Sequence, residues 1–164
     1  MTLKKLTRMA LLTAIALIIF MVEAQIGTPV PIPGVKLGLA NIVTVYAMFV
    51  LSPGQTLAIL ICRVFLGSVF SGQMAAIFYS LGGGLLCWLA MLLLRPVLTV
   101  KQIWVAGVIG AVAHNAGQIL VAMALLETAR LAWYLPVLWV SGTVAGVLIG
   151  IVSGVLVNRV PEQK

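Results

Sequence analysis

The 164-residue chain contains 63% hydrophobic and only 8% charged residues, and its formal net charge is +7. A water-soluble domain carries about 25% charged residues, so this composition excludes an ordinary soluble domain and favours a protein whose apolar surface faces lipid. The positive charge does not indicate nucleic-acid binding, because the longest basic run is Lys4-Lys5 and the cations lie at the ends of apolar segments, as the positive-inside bias of membrane proteins requires.

Six apolar stretches in chain order predict six membrane-spanning helices, because one span needs about 20 residues. The predicted spans cover residues 6–25, 37–51, 55–70, 74–94, 103–126 and 135–157. The second and third are short, so we expect neighbouring loop residues or local bilayer thinning to help them. Because the connecting loops are short, consecutive helices should be antiparallel. The sequence therefore predicts an all-α membrane protein, with a single six-transmembrane-helix bundle over residues 1–164.

The distribution of cations predicts the orientation of this bundle. With both termini in the cytoplasm, the inner side collects Lys4, Lys5, Arg8, Arg95, Lys101, Arg159 and Lys164, while Lys36 and Arg130 remain outside. The bias predicts a multi-pass protein of the bacterial inner membrane with cytoplasmic N and C termini. One alternative is that residues 4–24 form a signal peptide, whose removal would leave five spans in the same orientation.

Polar side chains gather in the extracytoplasmic half of the predicted bundle. Arg63 lies near the middle of the third span, where a charge costs about 3 kcal/mol. The residues predicted to bind a substrate in this half are Glu23, Lys36, Asn41, Arg63, Gln73, Tyr79, His114, Asn115 and Gln118. A guanidinium there suits a carboxylate or phosphate, which it can grip with two parallel hydrogen bonds.

An alternative interpretation gives these polar residues a structural role. Arg63 would then pair with Glu23 or extend to the membrane surface, and bind nothing. His114 and Asn115 would equally serve as interhelical hydrogen-bonding groups. A metal site is not expected, because the chain has a single histidine with no cysteine or carboxylate near it.

Small residues mark two helix faces. Glycines repeat every four residues along the sixth span, at Gly142, Gly146, Gly150 and Gly154. This pattern predicts close packing against another helix of the same chain, with a subunit interface as the alternative. Ala10 and Ala14 form a second small-residue pair in the cytoplasmic half of the first span, and that face is expected to receive a partner helix.

Two segments carry a resemblance to known families. Residues 4–14, KKLTRMALLTA, resemble the opening of the substrate-binding (S) components of energy-coupling-factor vitamin transporters. Residues 34–41, GVKLGLAN, follow a loop with three prolines and resemble the heptaprenyl diphosphate synthase component I family, also called the Gx transporter family and related to those S components. The resemblance implies six helices, a ligand site near the outer surface, and a coupling membrane subunit with ATPases, docked through Ala10 and Ala14.

The sequence speaks against catalysis by this chain. Prenyl diphosphate synthases hold magnesium-diphosphate with aspartate-rich motifs, whereas this chain has no aspartate and only three well-separated glutamates, and it has no P-loop for ATP hydrolysis. We therefore predict a non-enzymatic, cofactor-free substrate-binding subunit of an energy-coupling-factor-type transporter for a small anionic molecule. The alternatives are a membrane accessory subunit of heptaprenyl diphosphate or quinone biosynthesis, and a purely structural partner.

Overall fold

The fold of the chain was taken from a computed structural model, which describes residues 3–23, 25 and 38–160. The described residues form six α-helices and two short 3₁₀ helices, Val100–Gln102 and Ala129–Tyr134. The α-helices are α1 (Leu3–Glu23), α2 (Asn41–Val50), α3 (Pro53–Phe70), α4 (Ala76–Leu94), α5 (Ile103–Leu125) and α6 (Leu135–Arg159). The predicted all-helical membrane bundle is confirmed, since five helical segments are long and apolar enough to cross a bilayer.

Helix α2 is the exception to this pattern. Its 10 residues rise about 15 Å, roughly half of the hydrocarbon thickness of a bilayer. The second predicted span, 37–51, thus differs from the observed helix at its start: Gly38 has a φ of +82° and a turn occupies residues 39 and 40 before the helix begins. As a result, the first residue of α2, Asn41, lies inside the bundle, where it is 1% exposed.

Helix α3 starts where local sequence requires it. Ser52 caps the helix by accepting a hydrogen bond from the Gln55 backbone N–H, while the Gln55 side chain accepts one from the Ser52 N–H. Pro53 occupies the first turn, where its missing N–H has no partner to lose. Only Leu51 and Ser52 separate α2 from α3, and the two helices contact each other.

Helices α5 and α6 approach each other through glycines. A Cβ placed on Gly146 would lie 2.6 Å from Val108 Cα, and one on Gly150 would lie 2.4 Å from Trp104 Cα. A Cβ on Gly142 would lie 2.6 Å from the Asn115 amide nitrogen. The structure therefore places three of the four repeated glycines directly against α5. Gly154 has more room, since its Cβ would meet Ile103 Cβ at 3.9 Å.

Helix α1 packs mainly on α3 and presents the rest of its surface outward. Its buried positions include Leu12, Ala16 and Phe20. The ring of Phe20 lies against α3 at Gly67, where an added Cβ would come within 2.5 Å of the ring. Ala10 and Ala14 lie on the exposed side of α1. The predicted docking pair is thus accessible and takes no part in the internal packing.

A pair of hydrogen bonds joins three helices at the end of the bundle that carries most of the cations. The Arg8 guanidinium donates to Tyr46 Oη at 2.8 Å, and this hydroxyl donates to the backbone oxygen of Val160 at 3.1 Å. Tyr46 therefore connects the start of α1 with α2 and with the residue that follows α6.

Tyr46→Phe is expected to lower the free energy of unfolding by about 1 kcal/mol, because it removes both bonds and leaves the ring in place. The matched control is Tyr134→Phe, since no side-chain hydrogen bond of Tyr134 is found among the described residues. Unfolding in mixtures of mild detergent and dodecyl sulfate, followed by tryptophan fluorescence, measures the difference. Equal losses in the two variants would show that the hydroxyl of Tyr46 does not join the helices.

Candidate ligand site

A small cavity lies between α1, α3, α4 and α5, near the end of the bundle where α1 ends and α4 begins. Its lining residues are Phe20, Glu23, Gly38, Arg63, Ser80, His114 and Gln118. The space open to the centre of a water molecule is about 10 Å³, which corresponds to about one water. In this conformation the space is too small for a larger molecule.

Arg63 supplies the positive charge of the cavity. The side chain is 3% exposed, and its Nη2 donates to Asn41 Oδ1 at 2.9 Å. This bond connects the middle of α3 with the first residue of α2. Two buried nitrogen atoms of the pair, Arg63 Nε and Asn41 Nδ2, have no hydrogen-bond partner in the part of the chain that the structure describes. Buried donors of this kind usually have a hydrogen-bond partner. The pair can therefore still donate hydrogen bonds to an acceptor.

Glu23 supplies the negative charge. It is the last residue of α1, is 2% exposed, and accepts a hydrogen bond from the backbone N–H of Gly38. Only glycine fits at position 38, because its φ is positive and a Cβ would lie 2.8 Å from Asn41 Nδ2 and 2.9 Å from His114 Cδ2. Glu23 and Arg63 line the same cavity and attract each other electrostatically. The guanidinium nevertheless makes its observed hydrogen bond to Asn41.

Helix α5 contributes His114 and Gln118, which lie four residues apart on one helix face. Close approach of α4 brings this face to the cavity: a Cβ on Gly83 would lie 2.7 Å from the His114 backbone oxygen and 2.8 Å from Gln118 Cγ. Ser80, one turn earlier on α4, also lines the cavity. The glycine run 82–84 therefore serves helix packing beside the site.

The structure brings together Glu23, Arg63, His114 and Gln118 around the cavity, with Asn41 bonded to Arg63. Three lining residues were not predicted from the sequence: Phe20, Gly38 and Ser80. The sequence could have indicated Ser80, because it places a hydroxyl in an apolar helix just before a run of glycines. Phe20 had a weaker one, since it precedes Glu23 by three residues and shares its helix face.

Three further predicted site residues, Asn115, Tyr79 and Gln73, do not line the cavity. Asn115 turns toward α6, where its amide donates to the Leu138 backbone oxygen at 2.7 Å, because it is one residue and about 100° away from His114 on the helix. Tyr79 packs in an apolar cluster with Ile119, Ala122 and Leu138. Gln73 is exposed in the turn before α4. Lys36 lies outside the described residues. None of Asn115, Tyr79 and Gln73 lines the cavity, so the structure does not bring these three to the other predicted site residues.

Comparison with known proteins identifies the family. A family model described as heptaprenyl diphosphate synthase component I matches residues 12–156. The chain belongs to this family. The predicted resemblance of residues 34–41 to component I is thereby confirmed. No curated protein matches the chain, and no solved structure matches it.

The site of this component I family member does not fit catalysis on a magnesium-bound diphosphate. Magnesium is held by carboxylates, waters and substrate phosphates, and Glu23 is the one carboxylate among the described lining residues. The sequence contains no aspartate to add to it. Among the described residues, no group of three or more histidine, cysteine, aspartate or glutamate side chains is placed to hold a metal ion. The arrangement of the described lining residues suits hydrogen bonding to a bound molecule.

Proposed function

We propose that this component I family member is the substrate-binding membrane subunit of an energy-coupling-factor-type uptake transporter. The observation that carries the proposal is the buried pair of Arg63 and Asn41, which borders a small cavity and holds two donors that find no hydrogen-bond partner among the described residues. A charged group inside a membrane bundle is costly and marks a functional site by default. A small polar or anionic molecule from the extracytoplasmic side would supply the missing acceptors.

Uptake of such a molecule requires the cavity to open. Small-molecule pockets measure about 300–1,000 Å³, whereas this cavity accepts about one water molecule. We propose that α1 moves, because it is the candidate span with the smallest buried share and its Phe20 closes the cavity against Gly67 on α3. Ligand contacts with Arg63 would favour reclosure, so that binding and closure stabilise each other.

Energy for transport must come from another protein, since the chain has no P-loop. The exposed Ala10 and Ala14 lie on α1, the same helix that carries Phe20 and Glu23 at its other end. We propose that a coupling membrane subunit, itself attached to ATPases, packs its helix on this alanine face. Small residues permit the close helix contact that association in a membrane needs.

The proposal is tested by purifying the tagged chain gently from its native membrane and identifying bound subunits by mass spectrometry. Ala14→Trp should reduce recovery of a coupling subunit and ATPases at least tenfold while leaving the bound small molecule in place. The matched control is Ile15→Trp, an exposed position about 100° around the same helix, which should retain the partners. Purification without ATPases from wild type, or equal loss in both variants, would contradict the transporter proposal.

The family description favours a second candidate. A chain of the heptaprenyl diphosphate synthase component I family could serve as a non-catalytic membrane accessory subunit that presents a lipid substrate or product to a soluble prenyltransferase. This candidate predicts that a soluble prenyltransferase copurifies in place of ATPases, and that the bound molecule is isoprenoid. The same purification therefore separates the two candidates.

A further inference from the structure

We infer that the end of the bundle where α1 begins and α6 ends binds the headgroup of an anionic phospholipid. The binding surface, here called the basic surface, consists of Lys4, Lys5, Arg8 and Arg159. The inference depends on how the structure gathers these cations from two helices, on the absence of described carboxylates beside them, and on the apolar side chains next to them. It goes beyond the proposed function and does not depend on it, because the cavity at Arg63 has no part in this surface.

Tyr46 of α2 brings the two helix ends together. Its hydroxyl accepts a hydrogen bond from the Arg8 guanidinium at 2.8 Å and donates one to the Val160 backbone oxygen at 3.1 Å. Arg159 directly precedes Val160 and is the last residue of α6. The positions of Arg8 on α1 and Arg159 on α6 are therefore linked through one side chain of α2.

Two lysines extend the basic surface along α1. Lys4 and Lys5 lie four and three residues before Arg8, so the three cations share one face of the helix. Lys4, Lys5 and Arg159 are exposed, whereas Arg8 is half-buried. Arg8 is thus held in position by Tyr46, and the other three side chains can move toward a bound anion.

The described part of the chain places no carboxylate beside these four cations. Its two glutamates are Glu23, the last residue of α1, and Glu127, which follows the end of α5. The start of α5 lies near the end of α6, since a Cβ on Gly154 would meet Ile103 Cβ at 3.9 Å. Both described glutamates therefore lie toward the opposite end of the bundle, and the third glutamate, Glu162, lies outside the described residues. A bound anion would offset the repulsion among the four cations.

Apolar side chains beside the cations favour a lipid over a soluble anion. Leu6 of α1 is 50% exposed, and Val160 is 52% exposed. Met9 of α1 and Val157 of α6 are half-buried and pack against the core cluster that α1 and α2 share. A phosphate headgroup can accept hydrogen bonds from the guanidinium and ammonium groups while its acyl chains lie along these apolar side chains. Clusters of at least four lysines and arginines at the end of a membrane span are typical of anionic lipid binding.

The experiment titrates the purified full chain in mild detergent with phosphatidylglycerol or phosphatidylcholine of the same acyl chains, and native mass spectrometry counts the bound lipid. The wild type should bind phosphatidylglycerol at least tenfold more tightly than phosphatidylcholine. The test variant combines Lys4→Gln with Arg159→Gln, which removes one cation from each helix and leaves the bond from Arg8 to Tyr46. Its affinity for phosphatidylglycerol should fall about 25-fold, because each cation near an anionic lipid surface contributes about fivefold.

The matched control combines Arg95→Gln with Lys101→Gln. It removes the same two kinds of cation from the connection between α4 and α5, so its affinity for phosphatidylglycerol should change less than threefold. A second test variant, Lys5→Gln with Arg159→Gln, should show the same loss as the first. It keeps the comparison decisive if the first variant does not fold.

Four results would overturn the inference. Equal affinity of the wild type for the two lipids would show that the headgroup charge is not recognised, and equal losses in test and control variants would show a general effect of net charge. Glycerophosphoglycerol, the same headgroup without acyl chains, should bind far more weakly; equally tight binding would indicate a soluble phosphodiester as the ligand. Copurification of an acidic protein in place of phosphatidylglycerol, lost in the test variants, would assign the surface to a protein partner.

Discussion

Gly146→Ala is expected to lower the free energy of unfolding by about 2–3 kcal/mol, near the upper end of what overpacking usually costs. The added methyl group would lie 2.6 Å from Val108 Cα and 2.8 Å from the Gly107 backbone oxygen. Because these are backbone atoms of α5, no rotamer change relieves the contact, and the two helices must separate along their length. The loss should be seen as unfolding at lower dodecyl sulfate fractions, followed by tryptophan fluorescence.

The matched control for this variant is Gly154→Ala, two turns further along the same helix. A methyl group there meets Ile103 Cβ at 3.9 Å, an ordinary van der Waals distance. Its unfolding should therefore match the wild type or shift slightly toward higher stability, since alanine is the better helix former. If both alanine variants unfold alike, the close contact of α5 and α6 does not limit the stability of the bundle.

Asn41→Ala is expected to cost about 2–3 kcal/mol of unfolding free energy, because it removes the acceptor of a hydrogen bond to a buried charge. Arg63 Nη2 would then join Nε as a buried donor without a partner. The variant should also lose most of the copurifying ligand, because the guanidinium is no longer held in position. Stability is measured as for Gly146→Ala, and ligand content by mass spectrometry of the purified protein.

Asn158→Ala is the control for the same chemical change in an exposed place. Asn158 Nδ2 donates to the Gly154 backbone oxygen at 3.0 Å on the surface of α6, where water can replace the bond. Its effect should stay within about 0.5 kcal/mol, with unchanged ligand content. A small effect at Asn41 comparable to that at Asn158 would mean that Arg63 does not depend on its observed partner.

Much of the fold followed from the sequence because apolar runs of sufficient length are a strong signal in a membrane protein. The start of α2 was not readable, since it depends on the positive φ of Gly38 and on the contacts that surround it. A run of apolar residues from 37 to 51 does not show that the chain first turns and only then forms a helix. The consequence for function is large, because the turn brings Asn41 to Arg63.

The sequence indicated those site residues whose burial in a membrane span is energetically costly. It did not indicate toward which neighbouring helix each side chain points. Arg63 stood out because a charge in the middle of a span needs a partner. Asn115 and His114 are adjacent in the sequence, yet one contacts α6 and the other lines the cavity. Close contacts at glycines of α4 and α6 determine which face of α5 packs against each of these helices. A single sequence does not show how these helix faces pair. Phe20 was missed because its one signal, the helix face that it shares with Glu23, is weak for an apolar residue within a span.

The described lining of the cavity can be compared with the name of the family. The family is named for a component of a diphosphate synthase, whereas the described lining has one cation, one carboxylate and space for about one water. Such a lining suits recognition of a compact polar group. Among the described lining residues, Glu23 is the one carboxylate that could contact a metal ion, and Arg63 is the one cation that could contact a phosphate.

The most direct test of the account is native mass spectrometry of the gently purified wild type beside Arg63→Gln, with Arg130→Gln as the control. The account predicts that the wild type and the control release the same small molecule of defined mass, and that Arg63→Gln, eluting as a folded protein, releases at least tenfold less. Retention of the molecule at the wild-type level in Arg63→Gln, or no molecule in any of the three, would contradict a ligand site at Arg63.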